Sequence, residues 1–391
     1  MKVLHVITGL GIGGAEQQLR LLLRQLPVDS DVITLTNPGA VADGIVADGG
    51  RVTDLAMTGN RDLGALPRLT RLVRQGRYDL VHTHLYRACL YGRFAARFAG
   101  VRTIVATEHS LGAVQIEGRP LTASARGLYL AGERLGTATV AVSATVARRL
   151  ERWGVRPDRI HVVPNGIEAG RFAFDPAARR AARARLGLAP DAFVVGAVGR
   201  LTGGKRFDRL VRAVARLPGA QLLLVGEGPE RGRLLRLAEE CGAAGRVLLP
   251  GACQDPPPVT RTGAPGPHDP PDLPALLAAM DVSVSTSHDE AFGLASLEAL
   301  AAGLPVLYVA CPALEDLPPA AAPDARRISG SVPGLVEELG RLRSWHQERA
   351  RLPVPPAVRH YDISHSAEQL MAVYERAARG RAAPIREVSC P

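Results

Sequence analysis

Two cationic residues in the second half of the chain have the spacing of a diphosphate clamp. Arg200 and Lys205 lie five residues apart, where a strand-like run ends and a helix-like run begins. Two fixed positive charges beside the free backbone N–H groups of a helix N-terminus can bind phosphate oxygens through charge-assisted hydrogen bonds. Two solvated surface cations are the alternative. Arg206 is a substitute for Lys205 that lies one position further round the helix.

A pair of carboxylates follows later in the chain. Glu290 and Glu298 are eight residues apart around a glycine-containing loop that begins a helix. A carboxylate accepts two O–H donors at once, which suits the vicinal diol of a ribose or a hexose. The loop also offers backbone N–H groups to a phosphate or sugar oxygen. A helix-terminal acid followed by an exposed helical Glu is the alternative.

The N-terminal segment contains a glycine-rich turn. Residues 9–14 read GLGIGG and match G-x-G-x-x-G, in which glycines let the backbone approach a phosphate at the start of a helix. A dinucleotide site expects an acid at the end of the second strand to hold the ribose. The second strand here ends in TLTNP, without an acid. A nicotinamide or flavin site is therefore disfavoured, and a tight turn without a ligand stays open.

Short apolar runs alternate with amphipathic stretches, and this alternation predicts the fold class. The runs hold too few polar residues for a half-exposed sheet, and such alternation is typical of a parallel sheet with helices on both faces. We predict an α/β protein with doubly wound, Rossmann-like domains. The predicted strands are 3–8, 31–36, 80–84, 103–107, 139–142, 193–198, 221–225, 247–249, 282–285 and 305–309, and the predicted helices are 15–26, 63–75, 87–98, 124–135, 205–216, 230–241, 273–280 and 295–302.

The pattern restarts near residue 193, which predicts two domains. The segment 254–271 holds seven Pro and two Gly and is predicted to be a mobile surface loop inserted in the second domain. The predicted divisions are an N-terminal domain at 1–168, a linker at 169–190, a C-terminal domain at 191–360, a helix at 361–378 and a flexible tail at 379–391.

The amino-acid composition limits the classes of binding partner and the cellular compartment that we expect. The net charge of +10 is compatible with nucleic acid, an anionic membrane surface or a phosphorylated substrate. Aromatic residues make up only 4% of the chain, which disfavours stacking platforms for nucleic acid, and we predict no nucleic-acid partner. Five scattered cysteines and the lack of a signal-peptide pattern lead us to expect a cytoplasmic protein without disulfides or zinc. Peripheral contact with an anionic membrane at the inner face stays open.

These segments, in this order, resemble glycosyltransferase family 4, whose members are retaining enzymes of the GT-B fold. The most specific part is the E-x7-E stretch that begins at Glu290. The resemblance implies two Rossmann-like domains that face each other across a cleft. The C-terminal domain at 191–360 is then the nucleotide-sugar-binding domain, and the N-terminal domain at 1–168 is the acceptor-side domain. The matching segments are GIGGAEQQL, VHTHL, TEHS, AVSATVARRL, VVPNGIE, VGRLTGGKRFD, LLLVGEGPE and EAFGLASLEALAAGLPVL.

The resemblance implies a role for each matching residue of the C-terminal half. Arg200 and Lys205 match the catalytic pair that holds the donor diphosphate. Glu298 matches the residue that binds the nucleotide ribose, and Glu290 matches the residue that contacts the donor sugar during catalysis. Main-chain contacts with the donor sugar and phosphate are implied for Phe292, Gly293 and Leu294.

In the N-terminal half, Gly13 and Gly14 match glycines that close on the diphosphate. His109 matches a catalytic histidine near the anomeric centre, whereas we expect His82 and His84 to be structural. The family implies no essential metal, because cationic side chains and helix N-termini stabilise the charge instead. No cofactor is expected, since the nucleoside diphosphate sugar is a co-substrate.

Two departures from the family pattern leave the donor base and sugar open. After Leu307 the family usually has a Gly-Gly turn followed by an acid, whereas residues 308–316 here read YVACPALED. The Pro-rich segment follows Gly251, where the family often places base-contacting loops. A UDP-sugar is favoured as donor.

We therefore predict a retaining glycosyltransferase that moves a hexose or N-acetylhexosamine from a nucleoside diphosphate sugar to an acceptor hydroxyl, in glycan, exopolysaccharide or secondary-metabolite biosynthesis. The acceptor is a saccharide, a lipid-linked saccharide or a small molecule. Gln115, Glu117 and Arg119 are predicted to line the acceptor side. The alternatives are a sugar-nucleotide epimerase of the same fold, an NAD(P)-dependent oxidoreductase and a non-catalytic nucleotide-sugar binder.

Overall fold

The structure, a computed structural model, describes residues 1–59, 62, 64–112, 115–116, 119–120, 122–253, 272–346 and 351–380. The chain divides into two compact units. Unit 1 comprises Met1–Gly166 and the chain from Ile363 onward, and unit 2 comprises Ile167–Asp362. The Pro-rich segment 254–271, and residues 381–391 of the predicted tail, lie outside the described residues.

Unit 1 alternates strands and helices, as the apolar pattern predicts. Its described strands are β1 (Lys2–Ile7), β2 (Asp29–Thr34), β3 (Arg51–Asp54), β4 (Leu80–His84), β5 (Thr103–Glu108), β6 (Gln115–Ile116), β7 (Arg119–Pro120), β8 (Ala138–Ala141) and β9 (Ile160–Val162). Its first helices are α1 (Gly14–Gln25), α2 (Gly39–Ala47), α3 (Ala65–Gly76), α4 (Tyr86–Ala99), α5 (Ala123–Glu133) and α6 (Ala144–Trp153).

One parallel sheet forms the centre of unit 1, in the order β3-β2-β1-β4-β5-β8-β9, and β6 and β7 form a separate hairpin. Successive side chains of a strand point to opposite faces of the sheet. Leu4 and Val6 of β1 accordingly pack in one cluster with α3 and α4, whereas Val3 packs in another with α1. Helices cover both faces, which explains why the central strands β1, β4, β5 and β8 are almost entirely buried.

Unit 2 repeats this architecture. Its described strands are β10 (Phe193–Val198), β11 (Ala220–Val225), β12 (Val247–Gly251), β13 (Val282–Ser285), β14 (Val306–Tyr308) and β15 (Ala325–Arg327). Its helices are α7 (Pro176–Arg185), α8 (Phe207–Ala215), α9 (Arg231–Glu240), α10 (Leu273–Ala279), α11 (Leu294–Ala301), α12 (Pro312–Glu315), α13 (Val332–His346) and α14 (Pro356–His360).

The sheet of unit 2 is parallel and has the order β12-β11-β10-β13-β14-β15. Val195 and Ala197 of β10 pack in one core with α8, α9 and α13. On the opposite face, a Cβ at Gly196 would lie 2.0 Å from Met280 Sδ, so glycine leaves room for that side chain. The predicted doubly wound α/β fold class is confirmed for each unit.

The chain then returns to unit 1 as α15 (Ile363–Arg379). Leu370 and Val373 pack with Val3 and with β8, and Tyr374 Oη lies 2.6 Å from His82 Nδ1. The helix predicted at 361–378 is thus present, and it completes the fold of unit 1.

The predicted linker at 169–190 differs from the observed division. Most of it is a folded part of unit 2, because α7 begins at Pro176 after the N-cap Asp175 and packs against α10. Arg179 and Arg183 of α7 both bind Asp281, at 2.6 and 2.7 Å. A Pro at the first helical position is favourable, so Pro176 begins a helix inside the predicted linker.

Among the described residues, no helix combines the length and the apolar character that a membrane span requires.

Candidate active site

Lys205 and Glu290 meet at the point where the strand order of unit 2 reverses. From β10 the chain continues to β11 and β12 on one side, and then crosses to β13 on the other. In such sheets the ligand crevice lies at the carboxyl ends of the strands, at this reversal. Lys205 follows β10 and Glu290 follows β13, and Lys205 Nζ lies 2.5 Å from Glu290 Oε1. Two segments that are far apart in the sequence therefore each contribute one residue to an ion pair.

The backbone after β10 positions Lys205. Residues 203–205 form a 3₁₀ turn, and Arg206 has φ of 53°, so α8 begins at Phe207. This differs from the helix predicted from residue 205, because a left-handed residue separates the turn from the helix. Thr286 Oγ1, from the segment after β13, donates to Lys205 O at 2.7 Å and holds the turn beside Glu290.

The three cations of this segment have different partners. Arg200 is exposed, and its guanidinium has no hydrogen bond or ion pair within the described ranges. Arg206 Nε lies 3.0 Å from Asp208 Oδ1 and is engaged at the start of α8. Arg206 is therefore not equivalent to Lys205, whereas Arg200 is available to an anionic ligand.

The loop after β11 braces the loop after β10. Gly226 has φ of 148°, and a Cβ there would lie 2.0 Å from Gly199 O. Leu201 N–H donates to Glu227 O at 2.8 Å, which continues the pairing beyond the strands. The segment LLLVGEGPE thus needs its glycines for close backbone contact beneath the cationic turn.

Close packing and backbone conformation explain why the E-x7-E stretch has a glycine at position 293. Gly293 is the N-cap of α11 with φ of 115°, and a Cβ there would lie 2.4 Å from Cys311 Sγ. Phe292 is buried, and its ring meets Tyr361 edge-on at 5.1 Å. Leu294 begins α11. The loop is therefore held by packing on both sides.

The segment that departs from the family pattern supports this loop. Ala313 N–H donates to Phe292 O at 2.9 Å, and Cys311, the N-cap of α12, packs against Gly293. The carbonyl of Phe292 is thus engaged within unit 2. Residues 308–316 replace a Gly-Gly turn by a short helix that packs against the loop from Glu290 to Leu294.

Glu298 lies on α11 and is half-buried. Burial, together with the carboxylates of Asp272 and Glu298, raises the pKa of the Cys253 thiol to about 12. Cys253 follows β12 and is the last described residue before 254–271.

In unit 1, the glycine-rich turn connects β1 to α1. Gly13 is the extended N-cap of α1, and a Cβ there would lie 2.4 Å from Glu16 Oε2. Leu10 N–H donates to Asn37 O, and Thr36 Oγ1 donates to Thr8 O, both at 2.9 Å. Thr36 and Asn37 hold the turn at the end of β2, where a dinucleotide-binding protein would present an acid.

Four buried histidines lie on β1, β4 and the end of β5. His5 Nδ1 is 3.1 Å from His84 Nε2, and His84 Nδ1 is 3.2 Å from His109 Nε2. His82 lies between Tyr374 Oη and Thr107 Oγ1, at 2.6 and 2.7 Å. Burial lowers the pKa of His109 to about 4 and that of His5 to about 3, so both rings are neutral at pH 7. Sequence reasoning missed His5, because its contacts depend on strand register.

Two of the predicted acceptor-side residues lie on a pair of short antiparallel strands. Gln115 lies on β6 and Arg119 on β7, and Ile116 also bridges to Leu111. Glu117 lies outside the described residues.

The chain contains one Asp-x-Asp sequence, at residues 29–31. Asp29 and Asp31 pair with Arg51 at 3.2 and 2.5 Å, and β2 begins at Asp29. This pair therefore lies at the end of the sheet opposite to the carboxyl ends. Within the described part of the chain, one group could hold a metal, formed by His5, His82 and His84, whose ligand atoms all lie within 4.8 Å of one another.

Comparisons with known proteins agree with this geometry. Residues 12–171 match the family model Glycosyltransferase Family 4, and residues 192–321 match the model Glycosyl transferases group 1. A D-inositol 3-phosphate glycosyltransferase of Catenulispora acidiphila is 32% identical over 349 residues, which cover 82% of this chain and 78% of the relative. Its namesake in Mycobacterium tuberculosis is 31% identical, over 77% of this chain and 62% of the relative.

Solved structures show the same fold. HepE of Anabaena in complex with UDP and glucose has a TM-score of 0.81 at 22% identity, covering 96% of this chain and 99% of HepE. Sucrose-phosphate synthase of Thermosynechococcus elongatus has a TM-score of 0.69 at 21% identity, covering 97% of each chain. With the two family models and the relatives above, these matches show that the chain belongs to glycosyltransferase family 4 and has the GT-B fold.

Proposed function

We propose that this glycosyltransferase moves a hexose or N-acetylhexosamine from a UDP-sugar to an acceptor hydroxyl, with retention at the anomeric carbon. The observation that carries the proposal is the ion pair between Lys205 and Glu290 at the strand-order reversal of unit 2. It joins a diphosphate-binding cation to a sugar-binding carboxylate at the edge of the sheet where ligands bind.

In the proposed reaction, Lys205 and Arg200 bind the diphosphate oxygens and stabilise the charge that develops as the bond from the anomeric carbon to the phosphate breaks. The acceptor oxygen forms a new bond to the anomeric carbon on the same face. Its proton passes to an oxygen of the departing phosphate. No metal is needed in this scheme, because the two cations and the backbone N–H groups supply the stabilisation.

The remaining site residues take complementary roles. Glu290 holds Lys205 at 2.5 Å and binds donor sugar hydroxyls, and Glu298 binds the ribose. Phe292, Gly293 and Leu294 shape the loop between these carboxylates. From unit 1 we assign His109, Gly13 and Gly14 to contacts with the donor, and the hairpin that carries Gln115 and Arg119 to the acceptor.

Two comparisons support the choice of donor and acceptors to test. HepE was solved with UDP and with UDP-glucose, and the relatives above are named for D-inositol 3-phosphate. We therefore place UDP-glucose first among donors, and include D-inositol 3-phosphate among acceptors.

The proposal is tested with a donor panel. The purified chain is incubated with UDP-, GDP- and ADP-sugars, and release of the free nucleoside diphosphate is followed by mass spectrometry with and without the acceptors. We expect release from at least one UDP-sugar, abolished in the Arg200→Met/Lys205→Met double variant. Turnover of GDP- or ADP-sugars alone would overturn the UDP assignment, and release that persists in the double variant would overturn the site.

A further inference from the structure

Three of the buried histidines form a continuous hydrogen-bonded chain across unit 1. His84 is its centre, with Nε2 at 3.1 Å from His5 Nδ1 and Nδ1 at 3.2 Å from His109 Nε2. Both distances are typical of hydrogen bonds between ring nitrogens. The chain runs from the middle of β1, across the last residue of β4, to the residue after β5.

The two terminal ring nitrogens of this row of histidines lack hydrogen-bond partners within the described residues. His5 Nε2 and His109 Nδ1 are both buried, and neither has a hydrogen-bond partner among the described residues. His109 also lines a cavity of about 10 Å³ with Gln18, whose Nε2 likewise lacks a partner within those ranges. Gln18 Oε1 accepts from Gly166 N–H at 3.0 Å, which fixes Nε2 as the free end of that amide.

The chemistry of neutral imidazole couples the three rings. Each ring carries one N–H donor and one bare acceptor nitrogen. If His84 is protonated on Nδ1, it donates to His109 Nε2 and accepts from His5 Nδ1. All three rings then carry their proton on Nδ1. If His84 is protonated on Nε2, both hydrogen bonds reverse, and all three carry it on Nε2.

We propose that His5, His84 and His109 form one tautomerically coupled chain, in which His5 and His84 are positioning residues that set whether His109 Nδ1 donates or accepts a hydrogen bond. In the first arrangement His109 Nδ1 is a donor and suits a sugar or phosphate oxygen. In the second it is an acceptor and suits a hydroxyl proton. His109 changes its hydrogen-bonding character without becoming charged.

The functional part of this inference rests on the proposed donor contact of His109, whereas the coupling itself rests on geometry alone. Burial favours neutral rings throughout, since it lowers the pKa of all three histidines. A metal held by His5, His82 and His84 fits the contacts less well, because both ring nitrogens of His82 are engaged by Tyr374 and Thr107.

The test is a tautomer measurement on the whole ligand-free chain, labelled with ¹⁵N-histidine. Long-range ¹H–¹⁵N correlation spectra show which ring nitrogen of each of the ten histidines is protonated, and single His→Gln variants assign the signals. We expect His5, His84 and His109 to share one tautomer. Opposite tautomers at His5 and His109, or a charged ring at either position near neutral pH, would overturn the proposal.

A matched pair of variants tests the coupling. His84→Leu removes both hydrogen bonds, so the tautomers of His5 and His109 should become independent. His82→Leu removes an equally buried ring from the same strand but leaves the hydrogen bonds among His5, His84 and His109 intact. The shared tautomer should therefore persist. Loss of the shared tautomer in His82→Leu, or its persistence in a folded His84→Leu, would contradict the coupling. If His84→Leu does not fold, the wild-type spectrum alone decides.

Addition of UDP-glucose separates the inference from the proposed function. If both are correct, the ring nitrogens of His109 shift on binding, and those of His5 shift with them. A shared tautomer without any response to UDP-glucose would support the coupling of the three histidines and overturn the donor contact of His109. A response at His109 that leaves His5 unchanged would overturn the coupling.

Discussion

Replacing Lys205 by Met removes one charge from the site while retaining most of the side-chain volume. The structure indicates a small effect on stability, because the Lys205 and Glu290 side chains are 29% and 15% exposed. Such partly solvated pairs contribute about 1 kcal/mol or less. For a unit of this size that corresponds to a change in Tm of about 2–4 °C.

The expected effect on catalysis is larger. A charge-assisted hydrogen bond to the departing diphosphate is worth about 1.5–3 kcal/mol, which corresponds to about a ten- to hundred-fold loss in kcat/KM. Steady-state kinetics with a UDP-sugar and a thermal melt of the same preparation measure the two effects together. We expect the loss of kcat/KM with nearly unchanged Tm.

Two controls make this result specific. Arg206→Met removes the neighbouring cation, which is paired with Asp208, and should leave kcat/KM near the wild-type value. The double variant Lys205→Met/Glu290→Gln should be at least as slow as Lys205→Met, because removing the carboxylate does not restore the missing cation and also removes the proposed sugar contact. Wild-type kinetics in Lys205→Met, or recovery of activity in the double variant, would refute the reasoning.

Three further predictions concern the ribose, metal and pH. Glu298→Gln should weaken binding of free UDP in calorimetry, whereas Glu290→Gln should leave it nearly unchanged and slow transfer; equal losses would contradict the two roles. Activity should survive excess chelator, and abolition that a divalent ion reverses would contradict the charge scheme. Because burial lowers the pKa of His5 to about 3 and of His109 to about 4, the unfolded chain binds more protons below the ordinary histidine pKa of 6.5. The unfolding free energy should therefore fall as the pH drops below 6.5 towards 4, and denaturant titrations that show a constant value would contradict this.

The central strands could be predicted because most of their residues are apolar. β10 is a continuous apolar run, and β1 is apolar apart from Lys2 and His5; both lie within one residue of the predicted bounds. The edge strand β3 was not predictable in this way, since Arg51–Asp54 contains only one apolar residue, Val52. Its pairing with β2 depends on the neighbouring strand, to which Arg51 also bonds through Asp29 and Asp31.

The residues of the candidate site could be singled out from the sequence, but the contacts between them could not. Arg200, Lys205, Glu290 and Glu298 carry recognisable spacings along the chain. The ion pair between Lys205 and Glu290 joins residues 85 positions apart, and it depends on β10 lying beside β13. No local pattern contains that strand order.

The histidine chain illustrates the same limit. His82 and His84 are alternate residues of one strand, so their shared face is readable from the sequence. Their neighbour His5 is distant along the chain, and the register of β1 against β4 places it opposite His82. The contact of His5 with the other histidines therefore cannot be predicted without the strand order and register of the sheet.

The proposed reaction is transfer with retention from a UDP-sugar bound at Lys205 and Glu290. Its most direct test is proton NMR of the product formed from an α-linked UDP-sugar and an accepted acceptor, recorded during the first turnovers. The anomeric coupling distinguishes the two configurations at the new bond. We expect an α-linked product, formed by the wild type and much more slowly by Lys205→Met. A β-linked product would contradict retention and the transfer of the acceptor proton to the leaving phosphate on the same face.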